Sequence, residues 1–256
     1  MYSKRKYRKE IARETVNWCE KNHTSFTHLT ASKFHRKQIP SEAGKPPEFE
    51  TKLEIVNMDT LDATLYYQDS DKKNYCLLNM ASSSPHQFGG GYLNGSLAQE
   101  EDLCRRTNFH SAFKKMKPPV PKYGGCFIKN LLIIRENEAS GYKWMERAVA
   151  TSSIMCAAPR HPELKSNGDY VPKEYEEMRK KIMAMFDLLL MEKQYYIVLG
   201  AFGCGAYYNP PHEVAKIFRN LLNREYKGRF AKVVFAILDN RGTSNRNIFE
   251  EIIKLK

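Results

Sequence analysis

Residues 75–107 read YCLLNMASSSPHQFGGGYLNGSLAQEEDLCRRT, and this stretch decides the fold. YCLLNM (75–80) is a continuous apolar run, the pattern of a strand covered on both faces. Leu97, Glu101 and Cys104 then fall on one helical face, with Leu103 and Arg106 on the neighbouring stripe. A buried strand thus feeds a glycine-rich loop, and the loop feeds a helix. Working outward, strands of the same kind recur at LEIVN (53–57), LLIIR (131–135), SSIMCA (152–157), YYIVLG (195–200) and KVVFAIL (232–238). Helical spacing appears between and after them. Met178, Ile182, Met185, Phe186 and Leu189 share a face, as do Val214, Ile217, Phe218, Leu221 and Leu222, and Ile248, Phe249, Ile252 and Ile253. The alternation predicts an α/β fold, a three-layer α/β/α sandwich with a mixed central sheet.

Ahead of this unit lie five basic side chains, Lys4, Arg5, Lys6, Arg8 and Lys9. Ile11, Thr15, Trp18 and Cys19 follow at helical spacing, and residues 36–50, with Pro40, Gly44, Pro46 and Pro47, read as a loop. The expected organisation is a basic, helical N-terminal extension and loop over residues 1–50, then the α/β domain over residues 51–256, folded as one unit.

The chain has 256 residues and a formal net charge of +12, a balance that attracts polyanions but names none. No apolar run reaches the roughly 18 residues that cross a bilayer. The basic N-terminus has no apolar stretch behind it, so no secretory signal is read there. Six scattered cysteines, Cys19, Cys76, Cys104, Cys126, Cys156 and Cys204, show no CxxC pair and no metal spacing. They read as free thiols of a reducing compartment, so an intracellular protein is expected.

In open α/β sheets, ligands bind beyond the carboxyl ends of strands, so the loops after the strands carry the functional reading. Gly89, Gly90 and Gly91 cost backbone entropy, and their use is to admit unusual conformations or a closely approaching ligand. Seven residues separate Gly91 from Gln99, Glu100 and Glu101. Gln99 and Glu100 could simply cap the helix. Two adjacent acids behind three glycines fit better with glycosidic chemistry, which needs a carboxyl group beside the scissile bond.

The string GGGYLNGSLAQEE resembles the signature of poly(ADP-ribose) glycohydrolases. Its flanks, LNMAS before and LCRRT after, are similar to the bacterial-type branch of the macrodomain superfamily. Phe88 stands where that branch has proline. The resemblance implies a macrodomain-like sandwich and a role for each matching residue. Glu101 is the catalytic acid that protonates the leaving ribose oxygen, and Glu100 the acid that holds the ribose hydroxyls. Gln99 orients them, and Asn79 is the strand-end asparagine that contacts the ribose. Gly89, Gly90 and Gly91 wrap the diphosphate and distal ribose.

The second loop is GAFGCGAYYNPP (200–211), again a glycine-rich turn between a strand and a helix, an arrangement that offers backbone N–H groups to phosphate. It is neither a Walker A sequence nor a dinucleotide fingerprint. It too resembles bacterial-type poly(ADP-ribose) glycohydrolases. On that footing Gly203, Cys204, Gly205 and Ala206 bind the diphosphate, and Tyr207 stacks on the distal ribose. Phe202 is expected to pack beneath the loop. No histidine stands near Cys204 to make it a nucleophile.

Asp59 matches an aspartate that accepts from the adenine amino group in macrodomains, and is equally well placed to cap a helix. Arg105 and Arg106 read as a solvated helix face rather than a phosphate contact. The implied activity is hydrolysis of poly(ADP-ribose) to ADP-ribose by a monomer that needs no cofactor and no metal. ADP-ribosylated proteins are possible further partners, and direct nucleic-acid binding is left open. Removal of single ADP-ribose units from protein or nucleic acid, or binding of ADP-ribose without catalysis, remains as an alternative. The second acid of QEE argues against a pure reader.

Overall fold

The computed structural model describes residues 3–238 and 245–254. In chain order the elements are α1 (Lys4–Lys21), β1 (Thr30–His35), β2 (Lys52–Val56), α2 (Thr60–Asp71), β3 (Cys76–Met80), α3 (Gln99–Arg106), α4 (Phe109–Phe113), β4 (Gly124–Arg135), β5 (Trp144–Cys156), α5 (Pro172–Met191), β6 (Tyr196–Leu199), α6 (Pro211–Asn223), β7 (Lys232–Ala236) and α7 (Asn245–Lys254). The seven strands form one sheet in the order β1-β4-β5-β3-β6-β7-β2. β5, β3, β6, β7 and β2 run parallel, while β4 is antiparallel to both β5 and β1. The sheet is therefore mixed, as expected.

Helices cover both faces. Leu78, Ile197, Leu199, Val233 and Phe235 point to one side and bury against Ile182, Phe186 and Leu189 of α5 and Val214 and Phe218 of α6. Leu77, Val198 and Val234 point to the other, against Ala12 of α1, Leu61 of α2, Leu103 and Cys104 of α3 and Phe109 of α4. Alternating residues of one strand thus feed opposite cores, which is why these strands read as unbroken apolar runs. No helix among the described residues is long and apolar enough to cross a membrane.

Four elements differ from the sequence reading. LLIIR is only the second half of β4, and SSIMCA only the end of β5, whose first half is largely solvent-exposed. α2 buries Thr60, Ala63 and Thr64 beside Leu61 and Tyr67, so its inner face carries no apolar stripe to read. β1, inside the N-terminal segment, supplies the edge strand of the sheet. The helix α1 packs on α3, where Thr15 donates to the carbonyl of Arg105 at 2.7 Å.

Candidate active site

β5, β3 and β6 are neighbouring parallel strands, so their carboxyl ends emerge side by side. A pocket of about 340 Å³ opens there. Met80, Ala81 and Ser82 line it after β3, Ala158 after β5, and Ala201 to Gly203 and Gly205 to Tyr207 after β6; Gly90 and Ala98 to Glu101 complete the wall.

The start of α3 is assembled by its own side chains. Ala98 occupies the N-cap and contributes no side-chain bond. Gln99 reaches sideways to the end of β3, accepting from Met80 N at 2.9 Å and donating to Leu78 O at 2.7 Å and Thr60 Oγ1 at 2.9 Å. Glu100 accepts from Ser82 N at 2.8 Å and Gly89 N at 3.1 Å, and Glu101 accepts from Gly91 N at 2.9 Å through Oε1. None of the three caps the helix. They tie the strand end and the glycine loop to it instead.

Both carboxyl groups converge on Gly90. A Cβ there would stand 2.5 Å from Glu101 Oε1 and 3.3 Å from Glu100 Oε2, and the backbone is left-handed, φ +53°. Only glycine meets both conditions without strain. Glu100 and Glu101 are 3% and 8% exposed. Glu101 Oε2 is buried without a hydrogen-bond partner, although its residue lines the pocket. An unpaired buried carboxylate oxygen is costly, so this atom is set to meet a ligand. Burial pushes the Glu100 carboxyl up to about 7, against the pull of the two backbone N–H groups and with the help of Glu101. The Asn79 amide lies beside Glu100 and makes no bond of hydrogen-bond geometry.

The second loop is fastened from behind. Asn209, buried, donates to Pro159 O at 2.8 Å and Gly203 O at 3.0 Å, and accepts from Tyr170 Oη at 2.7 Å. Gly203, at φ +77°, leaves room for that amide, since a Cβ would sit 2.6 Å from Asn209 Nδ2. Gly205 differs, because a Cβ there would meet nothing within 4 Å. Its missing side chain serves no neighbour in the protein and leaves the backbone open to a ligand. Tyr207 bridges the two loops: its hydroxyl accepts from Ser83 N at 2.8 Å.

Of the residues singled out from the sequence, Gly90, Gln99, Glu100, Glu101, Gly203, Gly205, Ala206 and Tyr207 line the pocket, while Asp59, Asn79, Gly89, Gly91 and Cys204 do not. Phe202 lines it from a fully buried position beneath the loop. Asp59 is the N-cap of α2, accepting from Leu61 N and Asp62 N. Burial holds the Cys204 thiol protonated, well above the usual thiol range. Arg105 and Arg106 are corrected: both are fully buried, not solvated. Arg106 pairs with Asp59 at 3.0 Å, with Asp102 at 3.3 Å and with Asp62, while Arg105 donates to Ser96 O at 2.7 Å and to Tyr142 Oη. A dibasic pair reads as exposed until its carboxylates, drawn from two helices, are in place. Ser82, Ser83, Ala158 and Asn209 were not read from the sequence. Only the strand order brings the end of β5 beside that of β3.

Among the described residues, Asp169, His212 and Glu213 bring ligand atoms within 4.8 Å of one another. Lys216 sits on Glu213 at 3.0 Å and Asn167 on Asp169 at 2.7 Å, so an ion-pair cluster already satisfies these groups.

Fold and site together define a macrodomain-like α/β sandwich with a paired-carboxylate pocket at its strand ends. Residues 2–122 match the family described as microbial-type PARG, catalytic domain. Among solved structures, poly(ADP-ribose) glycohydrolase from Deinococcus radiodurans in complex with ADP-ribose is similar at 26% identity, over 81% of this chain and 86% of that one, with a TM-score of 0.69. The Thermomonospora curvata poly(ADP-ribose) glycohydrolase bound to the inhibitor ADP-HPD shares the fold at 22% identity, over 95% and 98% of the two chains, with a TM-score of 0.78. Curated proteins give no match. The family match and the structural likeness bear out the resemblance to bacterial-type poly(ADP-ribose) glycohydrolases.

Proposed function

We propose that this chain hydrolyses the ribose–ribose O-glycosidic bonds of poly(ADP-ribose) and releases ADP-ribose. The observation that carries this reading is the pair of buried carboxyl groups converging on Gly90, one of them with an unpartnered oxygen beside the pocket. The family match and the ADP-ribose held by the Deinococcus protein support the substrate. A pocket of about 340 Å³ suits a small ligand unit.

Glu101 is the acid. The anomeric C–O bond breaks with its electron pair going to the leaving 2′ oxygen, which takes the proton of Glu101. Water adds to the oxocarbenium-like carbon, and the proton it sheds restores the acid. Glu100, fixed by two backbone N–H groups, shapes the glycine loop and receives the ribose hydroxyls. Gln99 and Asn79 hold the sugar's edge, and the ring of Tyr207 covers its face. Backbone N–H groups of Gly90, Gly205 and Ala206 take the diphosphate, while those of Gly89 and Gly91 stay on Glu100 and Glu101 and that of Cys204 on Ala201 O, shaping the two loops, and Asp59 takes the adenine amino group. The six free cysteines support a reducing, intracellular setting.

The test is release of ADP-ribose from purified poly(ADP-ribose), comparing wild type with Glu101→Gln. The variant should lose about 10²–10⁴-fold in kcat and still bind ADP-ribose. Wild type that binds ADP-ribose but leaves the polymer intact would sink this reading in favour of a mono-ADP-ribosyl hydrolase or a reader.

A further inference from the structure

The residues that line the pocket include two carboxyl groups and no lysine or arginine. A diphosphate entering it therefore meets acids as the only charged side chains of the wall. A positive charge stands beside Tyr207, one of the lining residues. Ala158 lines the pocket, and Arg160 lies two residues on, in the same turn after β5. Asn209 bonds this turn through Pro159 O, and His161 N donates to Tyr207 O at 2.9 Å. His161 and Tyr208 both adopt left-handed backbone, φ +50° and +57°, and their rings stack 5.0 Å apart. Neither is glycine, and such conformations persist only where the surroundings hold them, most often at functional sites. The outcome of this stitching is the position of Arg160. It is exposed, its guanidinium lies 5.9 Å from the centroid of the Tyr207 ring, and no carboxylate among the described residues pairs with it.

We infer that Arg160 is a phosphate-binding residue of this site, donating to phosphate oxygens of a substrate seated against Tyr207. The inference rests on the ADP-ribose reading above. A guanidinium presents a planar fork of N–H donors that fits a phosphate, and the aromatic ring below it restricts its orientation. Two sources offer that chemistry: the diphosphate of the unit in the pocket, and the diphosphate of the adjoining unit of a polymer.

Calorimetric titration separates them, using full-length protein on the Glu101→Gln background, so that a short ADP-ribose oligomer stays intact. Arg160→Gln should weaken binding about tenfold, the scale of one hydrogen-bonded charge. It should also reduce the salt dependence by about one phosphate contact, and Arg160→Lys should restore part of both. A loss shared by ADP-ribose and the oligomer assigns the contact to the unit in the pocket. A loss confined to the oligomer assigns it to the adjoining unit. Unchanged affinity for both ligands overturns the inference. So does a loss that Lys does not repair and salt does not register, because that is a packing effect on Tyr207. If the Glu101→Gln parent and wild type both fail to bind ADP-ribose, the functional reading itself has failed. If they bind and wild type does not hydrolyse, that reading narrows while the Arg160 result still stands.

Discussion

The two glycine loops face the same pocket and are held in opposite ways. The first, Gly89 to Gly91, is gripped by the acids themselves, since Glu100 and Glu101 take its N–H groups. Its shape and the chemistry of the site cannot be altered separately. The second, Gly203 to Tyr207, is fastened from outside by Asn209 and Tyr170, neutral side chains that leave Gly205 open. The first loop should therefore govern turnover and the second should govern binding.

The sharpest way to break this contrast is Gly90→Ala. The added methyl would press on Glu101 Oε1 and force φ away from +53°. Displacing a reacting group by about an ångström costs on the order of a hundredfold, so kcat should fall by about that factor with a smaller change in KM. A variant that lost only affinity would erase the distinction between the loops. Asn209→Ala tests the other side. It orphans Pro159 O and the Tyr170 hydroxyl, while Gly203 O keeps the backbone N–H of residue 209, costing about 1–3 kcal/mol in thermal unfolding, and KM should rise more than kcat falls.

The third test is pH. The Glu100 carboxyl titrates at about 7 when folded, above its ordinary value of 4.5. The folded state therefore keeps a proton that the unfolded chain releases between those values. This stability is fully present below about 4.5 and is lost as pH rises through about 7. Tm should decline across that window, and Glu100→Gln should flatten the decline; an equal slope in both proteins would show that another group sets it. The smallest effect belongs to Cys204→Ala. Burial keeps that thiol protonated, so hydrolysis should stay within about twofold of wild type, and a large loss would reopen the nucleophile question.

The sequence was readable where the chain repeats one physical pattern. β3, β6 and β7 carry unbroken apolar runs because each is covered on both faces, and α5 and α6 carry full amphipathic stripes. It was opaque where burial depends on partners far away in the chain. Arg106 is buried because Asp59, Asp62 and Asp102 surround it, and no local pattern announces that. α2 hides behind threonines and alanine on its inner face. β1, TASKFH, is an edge strand whose residues are mostly polar and partly exposed. The acids and both glycine loops were legible from motif alone. Asn209 and Arg160 were not, because their placement depends on β5, β3 and β6 lying side by side.

The anchoring of α3 has one more consequence. An isolated helix of eight residues is not stable in water. This one is joined to the sheet at its start through Gln99 to β3 and at its finish through β4. There Asn108 donates from N to Leu132 O at 3.1 Å and accepts from Leu132 N at 2.8 Å. Fraying at either end would require breaking bonds to the sheet, so the hydrogen-bonded backbone amides of α3, from Asp102 onward, should exchange with solvent as slowly as those of the central strands. Breathing that admits substrate then belongs to the loops, and the two glutamates ride on a segment that opens only when the protein does.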